Sequence, residues 1–142
     1  MKRKVGIDYG RCRIGLAVES PVCSFAMPFT TILQEKSIPK TIEKILLSLE
    51  RVQPIASFIL GLPLLFSGQD NPFSLEVRAF AKQLYKLTHI SVILWDERLT
   101  TKQAEAILKS ANVKRKKRNA ITDPIAATLI LQSYLDSLAE IY

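Results

Sequence analysis

Four carboxylates stand where chemistry is possible. Asp8 closes the apolar run that starts at Val5, Asp96 and Glu97 end the largely apolar run from Ile90 to Trp95, and Asp123 precedes Pro124 at the head of an amphipathic stretch. The carboxyl ends of parallel strands converge on one edge of an open sheet, and that edge is where α/β folds place their sites. Carboxylates crowded there repel one another unless cations lie between them. Hard oxygen ligands suit Mg²⁺ or Mn²⁺, and two such ions roughly 3.5–4 Å apart clamp the attacking water and the leaving oxygen of a phosphodiester. Three acids suffice to hold the pair, and nearby arginines and lysines would position the substrate backbone and offset transition-state charge.

Each acid also has a structural reading. Asp8 can accept hydrogen bonds from the Tyr9-Gly10-Arg11 turn or pair with Arg13. Asp96 and Glu97 can be the polar end of a strand, paired with Arg98. Asp123 has the properties of an N-cap, followed by a proline with no N–H to satisfy. Spacing alone leaves the choice between Asp96 and Glu97 open.

The basic residues point the same way. The formal charge of +7 comes mostly from one run, Lys114, Arg115, Lys116, Lys117 and Arg118. A second group, Lys2, Arg3, Lys4, Arg11 and Arg13, brackets the first strand and is offset there only by Asp8. Two such patches suggest a polyanionic partner, most often nucleic acid, although a solvated loop and terminus would look the same.

The elements that must position these residues follow from periodicity. Val5 to Asp8 and Ile14 to Val18 read as two strands joined by a tight turn, with Gly10 free to take positive φ. A third strand covers Phe25 to Leu33, and Pro28 confines it to an edge or a bulge. Beyond Pro39, Ile42, Ile45, Leu46 and Leu49 share one helical face, and the helix ends before Pro54. Ile55 to Leu60 then reads as a buried parallel strand. Asn71-Pro72 caps the next helix, whose inward face is Val77, Phe80, Ala81 and Leu84, and Ile90 to Trp95 is the fifth strand. Thr100 to Gln103 has capping-box spacing before a helix through Ala104, Ile107 and Leu108. Asp123-Pro124 opens the last helix, with Ala127, Leu131, Tyr134, Leu135 and Leu138 facing the core.

The expected architecture is one α/β domain spanning residues 1–142, in which a mixed five-stranded sheet is flanked by helices. That order matches a ribonuclease H-like fold. A chain of 142 residues with 48% hydrophobic side chains buries a core without staples. Cys12 and Cys23 are expected as free thiols in a reducing compartment, and a single histidine argues against a Cys/His zinc site. No apolar stretch reaches the roughly 18 residues of a membrane span, and the N-terminus has no apolar signal segment, so a cytoplasmic protein is expected.

Gly6-Ile7-Asp8-Tyr9-Gly10-Arg11 with Arg13-Ile14-Gly15-Leu16-Ala17 is similar to the opening of the YqgF family. Three further segments agree in order: Gly61-Leu62-Pro63-Leu64, Trp95-Asp96-Glu97-Arg98-Leu99-Thr100-Thr101 with Ala104-Glu105, and Asp123 before Ala126-Ala127 and Ile130-Leu131-Gln132. The family resembles Holliday junction resolvases and is described as nucleases that process the 5′ end of pre-16S ribosomal RNA. The resemblance implies that Asp8, Glu97 and Asp123 are the metal-binding catalytic acids, which selects Glu97 over Asp96. It also implies that Arg11, Arg13 and Arg98 support the scissile phosphate, with Gly61-Leu62-Pro63 as the adjoining loop. Cys12 stands where a basic residue is common, Glu19-Ser20-Pro21 replaces a Ser-Asp pair, and Pro124 stands where alanine is usual.

The function this implies is a metal-dependent hydrolase of phosphodiester bonds, acting on precursor ribosomal RNA or alternatively on branched DNA. A non-catalytic RNA-binding assembly factor, using the basic run and the Arg11/Arg13 turn, is the competing reading. The Gly6-to-Gly10 segment also resembles a kinase phosphate loop, but those enzymes bind nucleotide between two domains and this chain is too short for a second. His89 reads as a surface residue at a helix end and Trp95 as core. Tyr9 reads either as packed under the sheet or as lying against a base. Oligomeric state is left open.

Overall fold

Alternating apolar residues build the first three strands into an antiparallel meander. In the computed structural model, which describes residues 2–99 and 124–139, β1 (Arg3–Tyr9) pairs with β2 (Arg13–Glu19), placing Asp8 opposite Gly15. β3 (Ala26–Leu33) pairs with β2 and forms one edge of the sheet. Pro28 occupies both positions open to a proline in a sheet: it lies on the edge strand, and at a bulge where the register passes from Leu16 opposite Thr30 to Ala17 opposite Pro28.

Gly10 departs from expectation. Its φ is not positive; the left-handed glycine among the described residues is Gly68, at φ +89°. What the turn requires of Gly10 is space, because a Cβ there would meet the Arg13 carbonyl oxygen at 2.5 Å.

The second half of the fold alternates helix and strand. α1 (Ile38–Ser48) starts where the Ser37 side chain accepts from the Lys40 N–H, and a short 3₁₀ turn, Glu50–Val52, follows it. β4 (Ile55–Leu62) runs parallel to β1 and reaches two residues past the expected Leu60, because its pairing with β5 (Ser91–Asp96) continues through Gly61 opposite Trp95 and Leu62 opposite Asp96. Between them, α2 (Pro72–Thr88) begins in a capping box: Asn71 accepts from the Ser74 N–H, and the Ser74 hydroxyl accepts from the Asn71 N–H. Exposed His89 closes α2 in the left-handed conformation. The last helix, α3, covers Ile125–Ala139. The expected helix through Ala104, Ile107 and Leu108, the basic run Lys114 to Arg118, and Asp123 lie outside the described residues.

The five strands form the expected mixed sheet, in the order β3-β2-β1-β4-β5. Odd positions of β1, Val5, Ile7 and Tyr9, pack with Phe58 and Leu60 of β4 against Ile42 and Ile45 of α1 and Val77, Phe80 and Leu84 of α2. The opposite face carries small residues and receives α3, whose Ala127, Ile130, Leu131 and Leu135 pack on Ala17, Ala26 and Ile59. Gly6 makes that approach possible: a Cβ there would lie 2.7 Å from both the Ala127 carbonyl oxygen and the Leu131 Cβ. Trp95 belongs to this layer as expected, with its indole N–H donating to Ser133 Oγ at 3.1 Å and its ring edge-on to Tyr134. No helix among the described residues is long and apolar enough to cross a membrane.

Candidate active site

Strand alternation sets the face on which each acid projects. Even positions of β1 face α3, so Asp8 shares that side with Gly6, and its Cβ lies 3.7 Å from the position a Cβ on Gly15 would take. The Pro124 Cα lies 3.5 Å from that same point, so the head of α3 stands beside Asp8 across a glycine. On β5, Ile93 and Trp95 face α3 whereas Val92 and Leu94 face the main core. Glu97 has the parity of Trp95 and enters a 3₁₀ turn, Glu97–Leu99, directly after the strand. Its Cδ lies 3.3 Å from the Cβ that Gly61 lacks, so the glycine at the end of β4 is the floor on which the carboxylate rests.

The two carboxyls feel one another. Burial, then the charge of Asp8, then that of Asp96 push the Glu97 carboxyl up from its ordinary 4.5 to about 7. Asp96 has the opposite environment. Arg98 donates to it from Nε at 3.0 and 3.1 Å and from Nη2, and the Arg98 backbone N–H adds a further bond at 2.9 Å. Those hydrogen bonds hold Asp96 below the usual carboxylate range. The neighbours Asp96 and Glu97 are thus separated by role: one is neutralised by a forked guanidinium, the other is pressed toward Asp8 in a part-buried pocket. The described residues hold no group of three acid, histidine or cysteine side chains placed to bind a metal ion; Asp8 and Glu97 are the two expected acids among them.

The arginines divide. Arg13 is exposed at the head of β2 and, by alternation, shares the face of Gly15 and Asp8. Arg11 instead turns toward α2, where its Nε donates to Glu76 at 3.1 Å and its guanidinium lies 5.0 Å from the Phe73 ring centre. Arg98 is committed to Asp96 and, through Nη1, to the Phe66 carbonyl at 3.1 Å.

Tyr9 packs under the sheet. Its ring lies 4.8 Å from that of Phe80, and its hydroxyl donates to Glu76 at 2.9 Å, so burial and the Glu76 carboxylate push the phenol up to about 12. Glu76 had no signal in the sequence beyond its charge, yet it holds Tyr9 and Arg11 together on the turn that follows Asp8. Gln34 does similar work from β3's end, donating to the Gly10 carbonyl at 3.0 Å while its own backbone N–H donates to the Cys12 carbonyl at 2.9 Å. Both cysteines are free and exposed.

Comparison with known proteins identifies the family and the fold. The family model described as "RuvX: Holliday junction resolvase" matches residues 2–137. A protein of Protochlamydia amoebophila named "Putative pre-16S rRNA nuclease" is 43% identical over 140 residues, 95% of this chain and 93% of the relative. A protein of the same name from Rhodobacter capsulatus is 40% identical over 96% of this chain and 84% of its own length. Among solved structures, Thermus thermophilus RuvC bound to a Holliday junction substrate superposes with a TM-score of 0.61 at 13% identity, covering 98% of this chain and 96% of that one. The fowlpox virus Holliday junction resolvase gives 0.56 at 17% identity, with 96% and 99% covered. At these identities the two structures establish the fold, which is that of the RuvC-like, ribonuclease H-like resolvases.

Proposed function

The chain belongs to the RuvX family, and from that premise we propose that it is a nuclease that hydrolyses phosphodiester bonds with divalent-metal dependence, its substrate the precursor of 16S ribosomal RNA. The observation that carries the chemistry is the carboxylate edge, where burial and then the charge of Asp8 raise the Glu97 carboxyl to about 7. Such a donor set fits a hard cation: it is all oxygen, part-buried, and made of like charges that a cation between them would relieve. Asp8 and Glu97 would hold the ion together with Asp123, which immediately precedes Pro124 in sequence, and Mg²⁺ or Mn²⁺ suits these ligands. When bound, such an ion supplies Lewis acidity at the scissile phosphate and makes a nucleophile of water near neutral pH.

The chain's own residues do the rest. Gly61 leaves the space beside which Glu97 sits, since a Cβ there would come within 3.3 Å of its Cδ. Arg98 neutralises Asp96, so that the charge of this acid does not face an incoming phosphate. Arg13 on the same face, with Arg11 and Lys114 to Arg118, supplies the cationic contacts that fix the backbone of a polyanion without reading its sequence. The choice of ribosomal RNA rests on the relatives, whose name specifies pre-16S rRNA, and a substrate of that kind fits a cytoplasmic protein.

The test is cleavage of pre-16S RNA by purified full-length protein with Mg²⁺, Mn²⁺ or EDTA. Asp8→Asn keeps the fold and loses cleavage by at least about a hundredfold, on the scale of removing one electrostatic contributor to a transition state. Unchanged cleavage in that variant, or equal cleavage in EDTA, sinks the metal-carboxylate reading. A four-way DNA junction is the second substrate to assay, since the family description names junction resolution. Symmetric resolution needs two paired sites, so activity there must come with a dimer.

A further inference from the structure

The turn between β1 and β2 carries an arginine that the fold holds by its backbone, by one face and by one edge. Gln34 braces the backbone on either side of Arg11: its Nε2 donates to the Gly10 carbonyl at 3.0 Å, and its own N–H donates to the Cys12 carbonyl at 2.9 Å. Phe73 and Glu76 stand one turn apart near the start of α2, so they are neighbours on one helical face, and together they hold the side chain. The guanidinium lies 5.0 Å from the Phe73 ring centre, and Nε donates to Glu76 Oε1 at 3.1 Å. Both partners are themselves held. Phe73 packs against the main core with its ring 6.0 Å from that of Tyr9, and Glu76 Oε2 accepts from the Tyr9 hydroxyl at 2.9 Å.

What this leaves open is the pair of terminal nitrogens. Among the described residues the Arg11 guanidinium makes no hydrogen bond besides the one from Nε, and its side chain is 63% exposed. An ion pair this exposed adds little to stability. A planar fork with its Nε edge and one face already engaged is instead oriented for a phosphate, which can accept from two of its N–H groups at once. The position of the fork follows from the chain. Arg11 is three residues after Asp8, so their Cα atoms are at most about 11 Å apart. The start of α2 lies at the same edge of the sheet, because α2 follows β4 and β4 runs parallel to β1. Arg11 leaves that edge on the α2 side, whereas Asp8 projects toward α3. A strand whose scissile phosphate sits at the acids therefore meets Arg11 with a different phosphate.

We propose that Arg11 forms a subsite for a phosphate flanking the scissile one, and that Glu76 is the positioning residue that makes this subsite, strengthening nucleic-acid binding although it is itself an anion. The inference rests on the reading of the carboxylate edge as a nuclease site. It fixes the sign of the effect of Glu76. A carboxylate that merely stood near a bound phosphate would repel it, so its removal would tighten binding. A carboxylate that holds the arginine has the opposite effect, because the rotamer freedom a loose side chain must give up on binding is already spent.

The experiment is fluorescence anisotropy of the full chain, in EDTA, with a labelled single-stranded oligoribonucleotide over a series of salt concentrations. Arg11→Ala is expected to bind about tenfold more weakly and to flatten the slope of log affinity against log salt by about 0.7, as for one lost phosphate contact. Glu76→Ala is expected to bind about threefold more weakly than wild type despite its added net positive charge, and to add no further loss in the Arg11→Ala background. Glu76→Asp keeps the charge but withdraws the carboxylate by one methylene, and is expected to show a similar loss even if the alanine variant does not fold. Binding by Glu76→Ala or Glu76→Asp as tight as wild type, an undiminished loss once Arg11 is gone, or an unchanged salt slope in Arg11→Ala overturns the subsite while leaving the nuclease reading intact. A wild-type protein that does not bind the oligoribonucleotide overturns both.

Discussion

Replacing Glu97 by glutamine separates stability from activity, and the direction can be worked out from the site. The folded-state pKa of Glu97 lies near 7, above its ordinary 4.5, so the folded protein holds this proton more tightly than the unfolded chain does. Stability from this group is therefore full below about pH 4.5, falls as pH rises, and levels off above about pH 7. At roughly 1.4 kcal/mol per pKa unit the ceiling is about 3 kcal/mol, and solvent reaching the part-buried carboxylate cuts this to about 1–2 kcal/mol. Glutamine keeps the shape and removes the charge. In EDTA at pH 8, Glu97→Gln is thus expected to be more stable than the wild type by about 1–2 kcal/mol, a rise of a few degrees in melting temperature for a chain of this size. At pH 4.5 the two proteins should melt together. Addition of Mg²⁺ should reverse the order, because binding to the native state raises only the wild-type midpoint. Thermal melts by circular dichroism across pH, with and without Mg²⁺, measure all three effects. A variant less stable than wild type at pH 8 in EDTA, or a difference that persists unchanged at pH 4.5, would refute the argument that the Glu97 carboxylate is destabilised by its burial and its acidic neighbours.

Two glycine replacements should fail in opposite ways. Gly6→Ala drives a Cβ to 2.7 Å from the Ala127 backbone carbonyl, which cannot yield without moving α3, so a loss of about 2–3 kcal/mol by urea denaturation is expected. Gly61→Ala meets chiefly the flexible Ile130 Cδ1 at 2.5 Å, and alanine suits a strand better than glycine, so stability should change by less than about 1 kcal/mol. The same Cβ sits 3.3 Å from Glu97 Cδ, and a shift of a few tenths of an ångström in that carboxylate should lower the cleavage rate about tenfold. Asn71→Ala removes the capping side chain of α2 and the bond from Nδ2 to the Pro63 carbonyl, and should cost about 1–2 kcal/mol in urea.

The elements were legible in the chain because their causes are local. Alternation over Val5 to Tyr9 and Ile14 to Val18, the 3.6-residue spacing of Val77, Phe80, Ala81 and Leu84, and the Asn71-Pro72 start of α2 each act within a few residues, and each strand and helix that falls among the described residues formed where such a pattern stood. Boundaries moved where a partner extended the pairing, as at Leu62. Gly10 was read for backbone freedom when the Arg13 carbonyl needed its space, a requirement that arises only once β2 has folded back.

The acids illustrate the division most clearly. Their types and their places at strand ends are properties of the chain alone, and from these came the expectation of a carboxylate edge. That Asp8 and Glu97 share a face, that Gly61 makes room for the second of them, and that Arg98 removes Asp96 from the set are decided by the parallel register of β1, β4 and β5. The same holds for Glu76, whose bonds to Tyr9 and Arg11 join residues more than sixty positions apart. Local sequence dictates which way a side chain leaves its own strand, but the field it meets there is set by neighbours brought in through packing. A carboxyl that would titrate near 4.5 in an open chain is held near 7 only when packing buries it and brings another carboxylate near it.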